Sequence, residues 1–128
     1  MDSLVRLNPA QREAVQTING PLLILAGPGS GKTRVITHRI AYLVKECGVN
    51  PYNILAVTFT NKAAKEMKER LFHLVGEGAL RQLTMGTFHA FCCVMLRREI
   101  QHLDRDPHFV IYDDGDQIST VKDRKSVV

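Results

Sequence analysis

Apolar and polar residues follow two rhythms along this chain, and the switches between them mark out its elements. Asn8-Pro9-Ala10-Gln11 reads as a helix start: Asn8 suits the N-cap, Pro9 the first helical position, and Gln11 the place where a capping box puts Glu or Gln. Asn19-Gly20-Pro21 ends that helix. The apolar run Leu22-Leu23-Ile24-Leu25 then reads as a buried strand. A helical period follows, with Ile36, Ile40, Leu43 and Cys47 on one face. Gly48 and Pro51 punctuate the return to an apolar strand over residues 54–59. The next helix sets Ala63, Ala64, Met67, Leu71 and Val75 on one side and a charged face on the other, and Gly76 and Gly78 break it. Residues 83–87 form a short candidate strand. Phe88, Phe91, Cys92, Met95, Leu96 and Ile100 then repeat at helical spacing, which assigns Phe88 and Cys92 to the core. Residues 104–108 read as a turn, residues 109–112 as a short strand, and the tail turns polar and charged.

Strands that alternate with amphipathic helices predict an α/β chain, a parallel sheet with helices on both faces. Ligands in such sheets bind beyond the C-terminal ends of the strands. Three segments that carry polar or glycine chemistry, at residues 27–33, 58–62 and 86–89, all begin where a predicted strand ends.

Composition narrows the class only a little. The chain has 128 residues, 45% hydrophobic and 23% charged, the balance of an ordinary globular domain. No apolar run approaches the ~20 residues needed to span a bilayer, and no signal-peptide pattern opens the chain. Cys47, Cys92 and Cys93 have no metal-ligand spacing, so the expectation is reduced thiols in a cytoplasmic protein without a membrane segment. A net charge of +4 permits a polyanionic partner without demanding one.

The chemistry concentrates in Ala26-Gly27-Pro28-Gly29-Ser30-Gly31-Lys32-Thr33. An apolar strand feeds it and a helix follows it, the context of a phosphate-binding loop. Glycines admit φ > 0 and let main-chain N–H groups approach a phosphate, while the helix N-terminus adds unpaired donors and partial positive charge. Lys32 is the candidate for the β- and γ-phosphates of a nucleoside triphosphate, and the Thr33 hydroxyl for a position on Mg²⁺. Ala26 stands where the strict pattern has Gly, so the motif is met in its looser form.

Four segments in order resemble the start of the first RecA-like motor of a UvrD/Rep/PcrA-like superfamily 1A DNA helicase. They are residues 7–15 (LNPAQREAV), residues 26–34, residues 57–64 (VTFTNKAA) and residues 85–89 (MGTFH), and residues 109–117 also resemble the family's passage out of this part. The resemblance implies a P-loop NTPase fold, incomplete at the C-terminus. Residues 1–128 would be the N-terminal segment of that motor, with about 113–128 leading into a helical insertion that is absent. It implies ATP with Mg²⁺ as cofactor and a whole protein that translocates 3′ to 5′ on single-stranded DNA. Gln11 would read the adenine edge, where its amide matches N6–H and N7, and Arg34 would stack on the base. Phe59, Thr60 and Asn61 would contact DNA, as would Thr87 and His89. Without the family, Phe59 reads as core and Asn61 as an N-cap.

Phe109-Val110-Ile111-Tyr112-Asp113-Asp114 has the form of a Walker B strand and its two acids, but the family places its acidic metal motif beyond this point. The chain stops before that motif and before the second motor, so it is expected to be a piece of a longer protein and inactive alone. A small P-loop kinase or GTPase and a non-catalytic nucleotide- or DNA-binding module are the competing classes. Asn61-Lys62-Ala63-Ala64 lacks the Asp of a guanine-reading run, which weighs against the GTPase.

Overall fold

The computed structural model describes residue 4, residues 6–29 and residues 31–126, with residues 125 and 126 described in backbone alone. The described chain contains five helices: α1 (Pro9–Gln16), α2 (Lys32–Lys45), α3 (Asn61–Gln82), α4 (Phe88–Glu99) and α5 (Asp114–Ser126). Two strands, β1 (Leu55–Thr58) and β2 (Thr84–Thr87), form a parallel pair with Leu55 opposite Thr84 and Thr58 opposite Thr87. This is a small α/β arrangement of the β-α-β kind, α3 being the crossover that a parallel pair requires.

Each start is chemically specified. The Asn8 Oδ1 accepts from the Gln11 N–H at 2.8 Å and the Gln11 Oε1 accepts from the Asn8 N–H at 3.0 Å, a complete capping box. Helix α3 is capped by Thr60, whose Oγ1 accepts from the Ala63 N–H at 3.1 Å; Asn61, the expected cap, is the first helical residue instead. Gly76 interrupts α3 at φ 82° and ψ 170°, a conformation essentially reserved for glycine, and the helix resumes beyond it.

The core lies in two clusters joined by α2. Ile40 packs with Ala56, Met67, Leu71 and Leu83 between α2, α3 and the strands. Val35, nearer the start of α2, packs with Leu7 and Val15 beside α1. Serving two neighbours rotates the buried surface of α2 from the expected single stripe: Val35, Thr37, Ile40 and Ala41 are inside, and Ile36 is exposed. Thr37 is tolerated there because its hydroxyl lies 3.0 Å from the Thr33 carbonyl and 3.1 Å from that of Arg34, so the buried donor is satisfied.

Two expected strands are not in the sheet. Residues 22–25 have no ladder partner among the described residues, yet their exposures run 39%, 81%, 38% and 86%, the period of two that a strand has. Leu22 and Ile24 turn toward a groove of about 360 Å³ shared with Lys32, Ile36 and Arg39, while Leu23 and Leu25 face outward. The apolar run has strand patterning but nothing beside it to bond. Leu55 is likewise exposed, so the described sheet is packed on the face of Ala56, and helices on both faces are not seen.

The chain divides into two compact units, Met1–Phe91 and Cys92–Val128. In the second, Arg97 lies over the Phe109 ring at 4.5 Å and donates to the Pro107 carbonyl at 2.9 Å. Residues 109–112 are not a strand, and Val110, Ile111 and Tyr112 are exposed. Helix α4 has no buried residue. The expected core stripe is therefore not formed, and both Phe88 and Cys92 are exposed.

Candidate nucleotide and nucleic-acid site

The glycine loop has the backbone its sequence calls for. Gly29 and Gly31 adopt φ 73° and 81°, left-handed values that a side chain disfavours, and Gly31 is the N-cap of α2. As a glycine this N-cap has no side chain to bond the first N–H groups of the helix, the arrangement that suits an anionic acceptor. A Cβ at Gly31 would stand 2.9 Å from the Gln11 Nε2. The loop thus has glycine where the left-handed conformation favours it, and at Gly31 an added methyl would also have to displace the end of the Gln11 side chain. Lys32 is exposed, Thr33 is half-buried in the first turn of α2, and Ser30 lies outside the described residues.

Gln11 is brought to this loop by its own cap. One lone pair of Oε1 is occupied by the Asn8 N–H, and the Nε2 end is turned to Gly31. The cap and the loop-side position coexist in one side chain. Arg34 projects from α2 and its Nη2 donates to the Arg6 carbonyl at 2.7 Å. The His38 Nδ1–H donates to the Arg34 carbonyl at 2.8 Å, one of the locally bonded histidines. Arg39 was missed by sequence reasoning. Its Nη1 donates to the carbonyls of Ala14 and Thr17, at 2.9 and 2.6 Å, and so closes the C-terminal end of α1 against α2. No local signal marks it, because its acceptors are main-chain atoms more than twenty residues away.

MgATP fits this donor set. Left-handed glycines, one of them the N-cap of α2, and an exposed lysine suit a polyanion, and Thr33 offers a hydroxyl in the first turn. Residues 27–33 would hold the phosphates and Thr33 the metal. The group would supply a phosphoryl bond whose cleavage releases free energy.

The strand ends make a second surface. The register Thr58 opposite Thr87 places the two following residues side by side, and the rings of Phe59 and Phe88 lie 5.2 Å apart, inclined at 40°. Phe59 is 87% exposed, so it is not part of the core that the described residues form. The Thr58 Oγ1 donates to the Thr60 carbonyl at 3.0 Å, fixing the turn from which Phe59 projects. Asn61 and His89 are exposed near this turn and at the start of α4. Thr87 is different: it is buried and its Oγ1 accepts from the Ala90 N–H at 3.1 Å, so its hydroxyl starts α4 and is not on the surface. Asp113 likewise has a structural use, exchanging main-chain and carboxylate bonds with Asp116 at 2.8 and 3.1 Å at the head of α5.

Residues 7–126 match the UvrD/REP helicase N-terminal domain family. The chain belongs to that family. It is 58% identical over 124 residues to a Staphylococcus epidermidis protein named ATP-dependent DNA helicase PcrA, covering 96% of this chain and 17% of that protein. Proteins of the same name from Bacillus subtilis and Staphylococcus aureus are each 56% identical, over 116 and 120 residues, which are 91% and 94% of this chain and 16% of each protein. The chain therefore spans a small part of the length of these relatives. The UvrD/REP match includes the capping box, the glycine loop and both strand-end turns, all of which lie within residues 7–126. No helix of the described residues is long and apolar enough to cross a membrane.

Proposed function

We propose that this chain is the ATP-binding, DNA-contacting start of the first motor of an ATP-dependent DNA helicase that moves 3′ to 5′ on single-stranded DNA. The observation that carries this reading is the convergence of Gln11, from α1, on Gly31 at the head of α2. A glutamine amide held at a phosphate loop joins base recognition to triphosphate binding.

In this reading Lys32 contacts the β- and γ-phosphates and Thr33 ligates Mg²⁺. Gln11 reads adenine and Arg34 lies against the base. Phe59 supplies the exposed ring on which a DNA base stacks, a sequence-tolerant contact, while Thr60, Asn61 and His89 lie toward the phosphates. Apolar Leu23 and Leu25 would be covered by further strands of a RecA-like sheet, and the metal-holding acid and transition-state arginines would come from other parts of the whole protein. The 128 residues alone would then bind nucleotide without turning it over. Three free thiols accord with a reducing compartment, and we place the protein in the cytoplasm.

The test is phosphate release by the full-length protein with and without single-stranded DNA. DNA-stimulated turnover that Lys32→Ala abolishes is expected. Turnover indifferent to DNA, or retained in Lys32→Ala, would overturn the assignment.

A further inference from the structure

Arg6 is one of two residues other than glycine with positive φ among the described residues, at 70°. Its side chain is exposed, so nothing about that side chain explains the conformation. Its carbonyl does: it accepts from the Arg34 Nη2 at 2.7 Å, across 28 residues of chain. The same short turn is held from a second direction, because the Arg12 Nη2 donates to the Leu4 carbonyl at 3.3 Å. Leu7, which follows Arg6, is buried against Val15 and Val35, with Leu4 packed on the same cluster. Val35 is the neighbour of Arg34 on α2. The turn is thus anchored at Leu7 and gripped by two guanidinium groups, and the left-handed residue aims one carbonyl at Arg34.

We infer that the Arg6 main chain is a positioning element for the nucleotide base, holding the Arg34 guanidinium plane in place before the base arrives. This rests on the reading of Arg34 as the base-stacking residue. A guanidinium has five N–H donors and two faces. One donor spent on a carbonyl fixes the plane while leaving the faces for an aromatic ring. An arginine restrained beforehand loses less rotamer freedom on binding, a saving that corresponds to roughly two- to tenfold in affinity for one long side chain.

The experiment compares MgATP with magnesium tripolyphosphate, which offers phosphates and no base, by calorimetric titration of the full-length protein. Arg34→Ala comes first and is expected to weaken ATP while sparing tripolyphosphate. Arg6→Val, which puts a β-branched residue where φ is positive, should weaken ATP roughly two- to tenfold and also spare tripolyphosphate. Arg6→Gly, which takes positive φ without strain, should restore ATP binding. In an Arg34→Ala background Arg6→Val should have no further effect. An effect of Arg34→Ala on ATP with none from Arg6→Val overturns the inference and leaves the base-stacking reading standing. Equal weakening of ATP and tripolyphosphate by Arg6→Val makes the turn merely structural and also overturns it. If Arg34→Ala spares ATP, the base-stacking reading fails and the inference falls with it.

Discussion

Replacing Gly31 by alanine tests the loop at its tightest point. Gly31 has φ 81°, and a left-handed L-residue costs roughly 1–2 kcal/mol. The added methyl would also meet the Gln11 Nε2 at 2.9 Å. That amide is the end of a flexible chain, but its Oε1 is tied to the Asn8 N–H. Moving it far enough breaks one hydrogen bond, about 0.5–1.5 kcal/mol more. The total, roughly 1.5–3.5 kcal/mol, can appear in two places. If the empty loop keeps its left-handed turn, the strain is present with and without ligand, and Tm falls. If the empty loop relaxes, binding must restore the turn, and ATP affinity falls by up to about three hundredfold. Calorimetric titration with MgATP and a thermal melt on the same sample together capture the sum. Measured against Gln11→Ala alone, the double variant Gly31→Ala/Gln11→Ala should show the backbone part of the loss and not the part due to the methyl contact. Wild-type affinity and wild-type Tm in Gly31→Ala would refute the reasoning.

Phe59→Ala should weaken single-stranded DNA binding by about 1–3 kcal/mol, read by fluorescence anisotropy on the full-length protein; normal binding would mean that the exposed ring is not a stacking platform. Gln11→Ala should narrow the preference for ATP over GTP, because guanine presents an acceptor where adenine presents a donor. A preference left intact would reduce Gln11 to its capping box. Leu71, fully buried among α2, α3 and the strands, should cost about 2–5 kcal/mol when cut to alanine, measured by denaturant unfolding, and a loss below 1 kcal/mol would contradict the core described for it.

Local chemistry was legible in the sequence where partners lie close along the chain. The capping box at Asn8 and Gln11, the break at Gly76 and the parallel strands after residues 54 and 83 follow from neighbours within a few residues. The chain also gave away the loop, since its glycines state the backbone they permit. What local pattern could not supply was the identity of distant partners. Residues 22–25 have the period of a strand, yet strand pairing needs another segment alongside, and none is there among the described residues. The Phe88 stripe promised a buried helix face because periodicity reports amphipathicity and not what covers it; Phe88 instead meets Phe59 at the strand ends. Thr87 was expected on the surface and is buried, since one hydroxyl can start a helix as readily as it can meet a ligand. Arg34 and Arg39 donate to main-chain carbonyls, Arg34 to that of Arg6, and such acceptors have no signature in the residue types around them.

The central claim is that residues 27–33 hold the phosphates of ATP through Lys32, and one titration addresses it. MgATP is titrated calorimetrically into the full-length protein and into its Lys32→Ala variant, with folding of both checked by circular dichroism. Removing a charge-assisted contact of about 1.5–3 kcal/mol should weaken binding roughly ten- to a hundredfold. Equal affinity in a folded Lys32→Ala protein would contradict the account at its root.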